Sequence, residues 1–116
     1  MRVVNRIVAI VKPRQPFLNW AKALPDAGGV PTLTLADLHV DCMTFLVPEY
    51  EDNTKALEYI LKNSREIFEL ELESWDLRVE LWPKNRDRRL FKKWFDVEIH
   101  SQVIDLAKKR IEHEEY

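Results

Sequence analysis

The chain is short of the residues that make flexible backbone and covalent staples. Its 116 residues hold two glycines, Gly28 and Gly29, side by side. Phosphate-cradling loops need several glycines at fixed spacing, so neither a G-x-G-x-x-G turn nor a P-loop is present. The single cysteine, Cys42, excludes an internal disulfide and matches no zinc-ligand pattern. G-x-S-x-G and C-x-x-C are missing as well. No apolar run approaches the roughly 18 residues of a membrane span. Charge of one sign is not in excess: the formal net charge is −2, which argues against wholesale binding to nucleic acid or to a membrane surface. The start, Met1-Arg2-Val3-Val4-Asn5-Arg6, leads into only a short apolar run before Lys12, unlike a secretory leader. These absences lead us to expect a cytoplasmic protein with no membrane contact, no metal and no cofactor.

What the chain does have is aromatic and aliphatic bulk. Apolar residues make up 46% of it, with four Trp and five Phe, and each buried aromatic removes about 150–250 Å² from water. That is core material for one domain, expected over residues 1–106, followed by a charged tail over 107–116.

Residues 3–11 are β-branched and nearly continuously apolar in their second half, which predicts a central strand ended by Lys12-Pro13. Pro16 suits a helix first turn, and Phe17, Trp20, Ala21 and Leu24 form one apolar stripe that Pro25 stops. Residues 25–32 read as a loop around Gly28-Gly29. Thr34 and Asp37 resemble a capping box for a short helix. Residues 43–50 read as a second strand, with Pro48 at an edge. A stripe from Leu57 through Ile60, Leu61, Ser64, Ile67, Phe68, Glu71 and Leu72 to Trp75 is either one helix of about 34 Å or two, broken near Asn63-Ser64. Residues 77–82 alternate with period two and read as a short strand. Asn85 or Asp87 caps a helix through Phe95, and 97–106 reads as a third clear strand. The core is then Ile7–Val11, Phe17/Trp20/Leu24, Phe45–Val47, the 57–75 stripe, Leu90/Phe91/Trp94 and Val97–Val103. The fold class is α+β: two layers, with a small, mainly antiparallel or mixed sheet of three or four strands and helices mostly on one face.

The most distinctive segment is 82–95, where six basic residues and one acid fall between positions 84 and 93. On a helix, Leu90, Phe91, Trp94 and Phe95 share an apolar face. Arg86, Arg89 and Lys93 line another side, beside Arg88 and Lys92. The basic face reads either as a footprint for an anionic ligand or nucleic acid, with Trp82 as a stacking surface, or as solvated charge neutralised by Glu66, Glu69, Glu71, Glu73, Asp76 and Glu80. The second reading is the more economical. Arg14 follows the first strand, where ligand sites of α/β sheets lie, and equally suits a solvated turn. His100 reads as a structural, hydrogen-bonded histidine before a proton-transfer group, and Ser101 points to the opposite face. His39, Asp41 and Cys42 make no metal pattern, and Cys42 reads as a small buried hydrophobe.

The stretches Lys12-Pro13-Arg14-Gln15-Pro16-Phe17-Leu18-Asn19-Trp20 and Trp82-Pro83-Lys84-Asn85-Arg86-Asp87, then Phe91 through His100-Ser101 to Asp105-Leu106, resemble those of a group of small bacterial proteins with no assigned activity. The resemblance spans most of the chain. It implies a bacterial cytoplasmic protein and no site. Three functional readings follow from the residues. The first is a non-enzymatic binding or interaction module, possible as a homodimer. The second is an anion- or nucleic-acid-binding protein using the basic helix 84–93. The third is a small enzyme with a pocket near Arg14, Arg86 and His100.

Overall fold

A computed structural model describes residues 1–25 and 31–116. The Gly28-Gly29 loop lies outside the described residues. In chain order the elements are β1 (Arg2–Val3), β2 (Arg6–Pro13), α1 (Gln15–Lys22), α2 (Leu35–Leu38), β3 (Met43–Pro48), α3 (Asn53–Lys62), α4 (Ser64–Glu73), a 3-10 turn (Val79–Leu81), α5 (Arg88–Trp94), β4 (Phe95–His100) and β5 (Ile104–Asp105). The architecture is α+β. Strand β2 is the centre of an antiparallel sheet in the order β3-β2-β4, and β1 pairs with β5 in a separate two-stranded ribbon.

Register decides which side of the sheet is buried. Ile7, Ala9 and Val11 on β2 lie opposite Val47, Phe45 and Met43 on β3, and Ala9 and Val11 lie opposite Ile99 and Val97 on β4. Side chains alternate across a strand, so these residues share one face. The helices cover that face: Ile7, Ala9, Val11, Phe17, Ala56, Ile60, Phe68, Leu72 and Phe91 are all buried in one cluster. The other face carries Val8, Ile10 and Lys12 between Thr44 and Leu46 on β3 and Asp96, Glu98 and His100 on β4. No helix among the described residues lies over it, and Leu46, Glu98 and His100 are exposed.

The helix signals act as capping chemistry requires. Pro16 sits in the first turn of α1. Thr34 and Asp37 form the reciprocal capping box of α2, with Asp37 N donating to Thr34 Oγ1 and Thr34 N to Asp37 Oδ2. Asp52 and Asp87 accept from the backbone at the starts of α3 and α5. The 57–75 stripe is two helices. Asn63 ends α3, and its side chain donates backward to Tyr59 O at 2.8 Å instead of capping α4.

Three strand expectations are corrected. The segment 3–11 divides: Val3 belongs to β1 in the ribbon, and the central strand β2 runs from Arg6 to Pro13. Residues 77–82 hold the 3-10 turn, because Asp76 Oδ1 accepts from Arg78 N and Asp76 O accepts from Trp82 Nε1, closing a local polar turn that competes with any ladder. The segment 97–106 divides. Strand β4 begins at Phe95, directly after α5, and ends at His100; β5 then joins the ribbon with β1.

The core centre is phenylalanine. Phe17, Phe68 and Phe91 are fully buried and Phe95 nearly so, in edge-to-face and tilted contacts 5.0–6.3 Å apart among Phe17, Phe68, Phe91 and Phe95. All four tryptophans are half-buried at its rim. Indole carries an N–H that wants an acceptor; Trp20 Nε1 donates to Leu81 O at 2.9 Å and Trp82 Nε1 to Asp76 O at 2.7 Å.

The centre and the rim should differ on truncation. Phe68→Ala is expected to destabilise by about 3–5 kcal/mol through the cavity it leaves. Trp82→Phe, which removes one hydrogen bond at the rim, is expected to cost about 1 kcal/mol. Urea denaturation of the two variants checks the ordering.

Candidate functional site

The residues singled out in the sequence do not converge. Arg14 lies beside α5: its backbone N–H donates to Trp94 O at 2.8 Å and its guanidinium to Lys92 O at 3.3 Å. His100 sits at the far end of the same sheet. Pro13 pairs with Phe95 and Val8 with His100, a separation of roughly 17 Å at about 3.4 Å per residue. His100 is exposed on the uncovered face, 3.3 Å from Glu98, so it is neither buried nor mid-strand as expected. Arg86 lies in the irregular segment before α5, held to Glu69 of α4; the expected basic helix over 84–93 is shorter, since Asp87 caps it and it starts at Arg88. A pocket joining Arg14, Arg86 and His100 is therefore not formed.

The basic segment is partly neutralised by the preceding acids. Arg86 is 13% exposed; it donates to Glu69 Oε2 at 2.9 Å and to Pro83 O at 2.7 Å. Its guanidinium carbon stands 5.7 Å from the centre of the Trp82 ring. Trp82 thus already has a cation on its ring, which leaves it poorly suited to stacking a base. Arg88 meets Glu58 at 3.6 Å. Arg89, Lys92 and Lys93 remain exposed on α5, with no acidic partner among the described residues.

Two other places carry features that call for explanation. The first is the end of the sheet beside the ribbon. Val3 is 79% exposed and pairs with Ile104, 52% exposed. Ile104, Leu46 and Ile111 line a 370 Å³ cavity together with Val4, Val103 and His113. The tail therefore contributes Ile111 to this apolar end, although 107–116 holds no helix or strand. A second cavity, of 240 Å³, runs along edge strand β3, between Phe45–Val47 and Tyr59, Ile60, Ile67 and Leu70 of α3 and α4.

The second place is Glu71. Helix α4 buries Ser64, Ile67, Phe68, Glu71 and Leu72, the positions of one stripe, and the carboxylate is carried inward with its apolar neighbours. Glu71 is 5% exposed, and its Oε1 has no hydrogen-bond partner. Burial pushes its carboxyl up to about 7. It opens on a 430 Å³ cavity between α2, the start of β3 and the end of α4, beside Cys42, Met43, Ser74 and Trp75. Burial, with the Glu71 charge adding to it, also pushes the Cys42 thiol up, which keeps it in the unreactive protonated form. The sequence held the signal for this site, an acid inside an apolar stripe, but Glu71 also fits the acidic run opposite the basic helix.

Comparison with family models, with curated proteins and with solved structures finds no match to any of them. Among the described residues no helix is long and apolar enough to cross a membrane, and no cluster of three or more His, Cys, Asp or Glu could hold a metal ion.

Glu71 gives folding a pH dependence of known sign. Its carboxyl ionises near 7 when folded and near 4.5 when unfolded, so unfolding releases a proton between those values. Stability is expected to fall as pH rises from 4.5 to 7, by about 3 kcal/mol at 1.36 kcal/mol per unit. Denaturant titrations at pH 5, 6, 7 and 8 check this. Glu71→Gln should flatten the profile, and an unchanged slope in that variant would refute the assignment.

Proposed function

We propose that this chain is a non-enzymatic interaction module that works as a homodimer, joined through the uncovered sheet face and the ribbon end. The carrying observation is the run of apolar side chains left without a covering layer: Val8, Ile10 and Leu46 on the sheet, continued by Ile104, Val3 and Ile111. A ribbon of two residues per strand gains little by itself. Exposing Val3 and Ile104 on it makes sense when a partner covers them.

Magnitude favours using both regions. Three strands about 4.8 Å apart and about 20 Å long present a flat footprint of roughly 300 Å². Specific interfaces bury about 800 Å² per partner, so the sheet face alone is too small and the ribbon has to contribute. The same face carries Arg6 and Lys12 as well as Asp96 and Glu98, so two copies can meet without like-charge repulsion. A second copy also satisfies the rule that a two-fold contact uses one patch on both chains.

The anionic-ligand reading is weaker on geometry. Arg86 and Arg88 are held by acids, and Trp82 by Arg86, which leaves Arg89, Lys92 and Lys93 as solvated charges on one short helix.

Sedimentation equilibrium of the wild-type chain is expected to give a dimer in the micromolar range. Leu46→Asp and Ile104→Asp are each expected to weaken the association at least tenfold while leaving the far-ultraviolet circular dichroism unchanged. Lys93→Ala should leave it unaltered. A wild-type chain that stays monomeric at all working concentrations rules the dimer out.

A further inference from the structure

The Glu71 cavity holds an arrangement that dimerisation does not use. Three acidic residues line it, Glu71 in the interior with Asp37 and Asp41, and no Lys, Arg or His does. Glu71 is more than nine-tenths buried, and one of its oxygens lacks any partner. A buried carboxylate without a partner is strongly unfavourable. A fold that keeps one at the wall of an open cavity leaves room for the partner to come from outside. Its volume, 430 Å³, falls within the range of about 300–1,000 Å³ typical of small-molecule sites.

We propose that this cavity binds a small organic cation, an ammonium or guanidinium on a short apolar stem, with Glu71 as the counter-charge and Trp75 and Met43 walling the stem. The wall composition selects this class. Trp75 offers an aromatic surface that attracts cations, and Leu33, Leu38 and Val40 add apolar surface. A divalent metal ion takes six or more oxygen ligands. Here the Asp37 carboxylate already accepts from Thr34 N, leaving too few oxygens. An organic cation needs one buried carboxylate and an apolar wall, and both are present.

The other charged groups nearby do not compete for the role. Thr34 hydrogen bonds hold the Asp37 carboxyl below its usual range, so it stays ionised. Cys42 stays a neutral thiol. Lys12 on β2 acts on Cys42 but does not line the cavity. His39 is turned away, with Nε2 2.7 Å from Pro13 O. Glu71 is therefore the group whose ionisation governs binding near neutral pH. A proton on Glu71 competes with the cation, so affinity rises with pH through the neutral range.

The test is an NMR titration of the full chain with butylammonium chloride, with 1-butanol as the neutral control and magnesium chloride as the metal arm. Saturable shifts are expected at the Ser74 and Trp75 amides and the Trp75 indole. At pH 8 butylammonium should bind at least tenfold more tightly than butanol. At pH 6 it should bind roughly tenfold more weakly than at pH 8. Glu71→Gln should erase the preference for the amine over the alcohol. Asp41→Asn should weaken binding yet keep its pH dependence, a check that does not depend on how the Glu71 variant folds. Equal binding of amine and alcohol, pH-independent binding, no saturation, or magnesium displacing the amine would each overturn the assignment. None of these outcomes bears on the dimer.

Discussion

Strand β2 is paired on both edges but packed on one face only, and the rest of the structure follows from that asymmetry. Its odd-numbered residues from Ile7 to Val11 enter the helical layer, while Val8 and Ile10 look out over a face that no helix among the described residues covers. Helix α5 hands over to β4 without a loop, Trp94 to Phe95, which draws the aromatic core tight against the sheet edge. What the helices leave bare, together with the ribbon, is the surface on which the proposed second copy would sit.

Polarity is arranged by the same geometry. Rings without polar atoms fill the centre, and indoles sit where a backbone carbonyl can take their N–H. The acidic face of α4 meets the basic segment before α5, and the Glu69–Arg86 pair closes the two against each other. Surface pairs of this kind contribute at most about 1 kcal/mol each. Arg86 is held close against Glu69, whereas Arg88 and Glu58 both stay about half exposed. Among the described residues Glu71 breaks the pattern, since its stripe position turns it inward where the fold offers Oε1 no partner.

Much of this layering was legible in the sequence. The apolar run of 6–11, the caps at Thr34 and Asp87, and the stripe from Leu57 to Trp75 are local signals, and local physics resolved them; Val3, read into the same strand, pairs instead with Ile104 in the ribbon. The α+β class and the one-sided packing followed. Period-two alternation in 77–82 misled, because a side chain outside that window, Asp76, captured the backbone in a turn. Residues 97–106 looked continuous because both halves are strands; only tertiary pairing assigns them to different partners. Trp20 and Trp94, expected inside the core, pack against it from the rim, since size favours burial while the N–H favours the rim. The Glu71 cavity was hidden for a different reason. Its walls come from α2, β3 and α4, and periodicity within one helix says nothing about what faces it.

In the proposed dimer two copies share the face bearing Val8, Ile10 and Leu46. An isotope-filtered NOE spectrum of an equal mixture of labelled and unlabelled chain reads that face directly. Intermolecular contacts are expected at the methyls of Val8, Ile10, Leu46 and Ile104. Intermolecular contacts confined to α5, or none at concentrations where the chain is a dimer by mass, would contradict it.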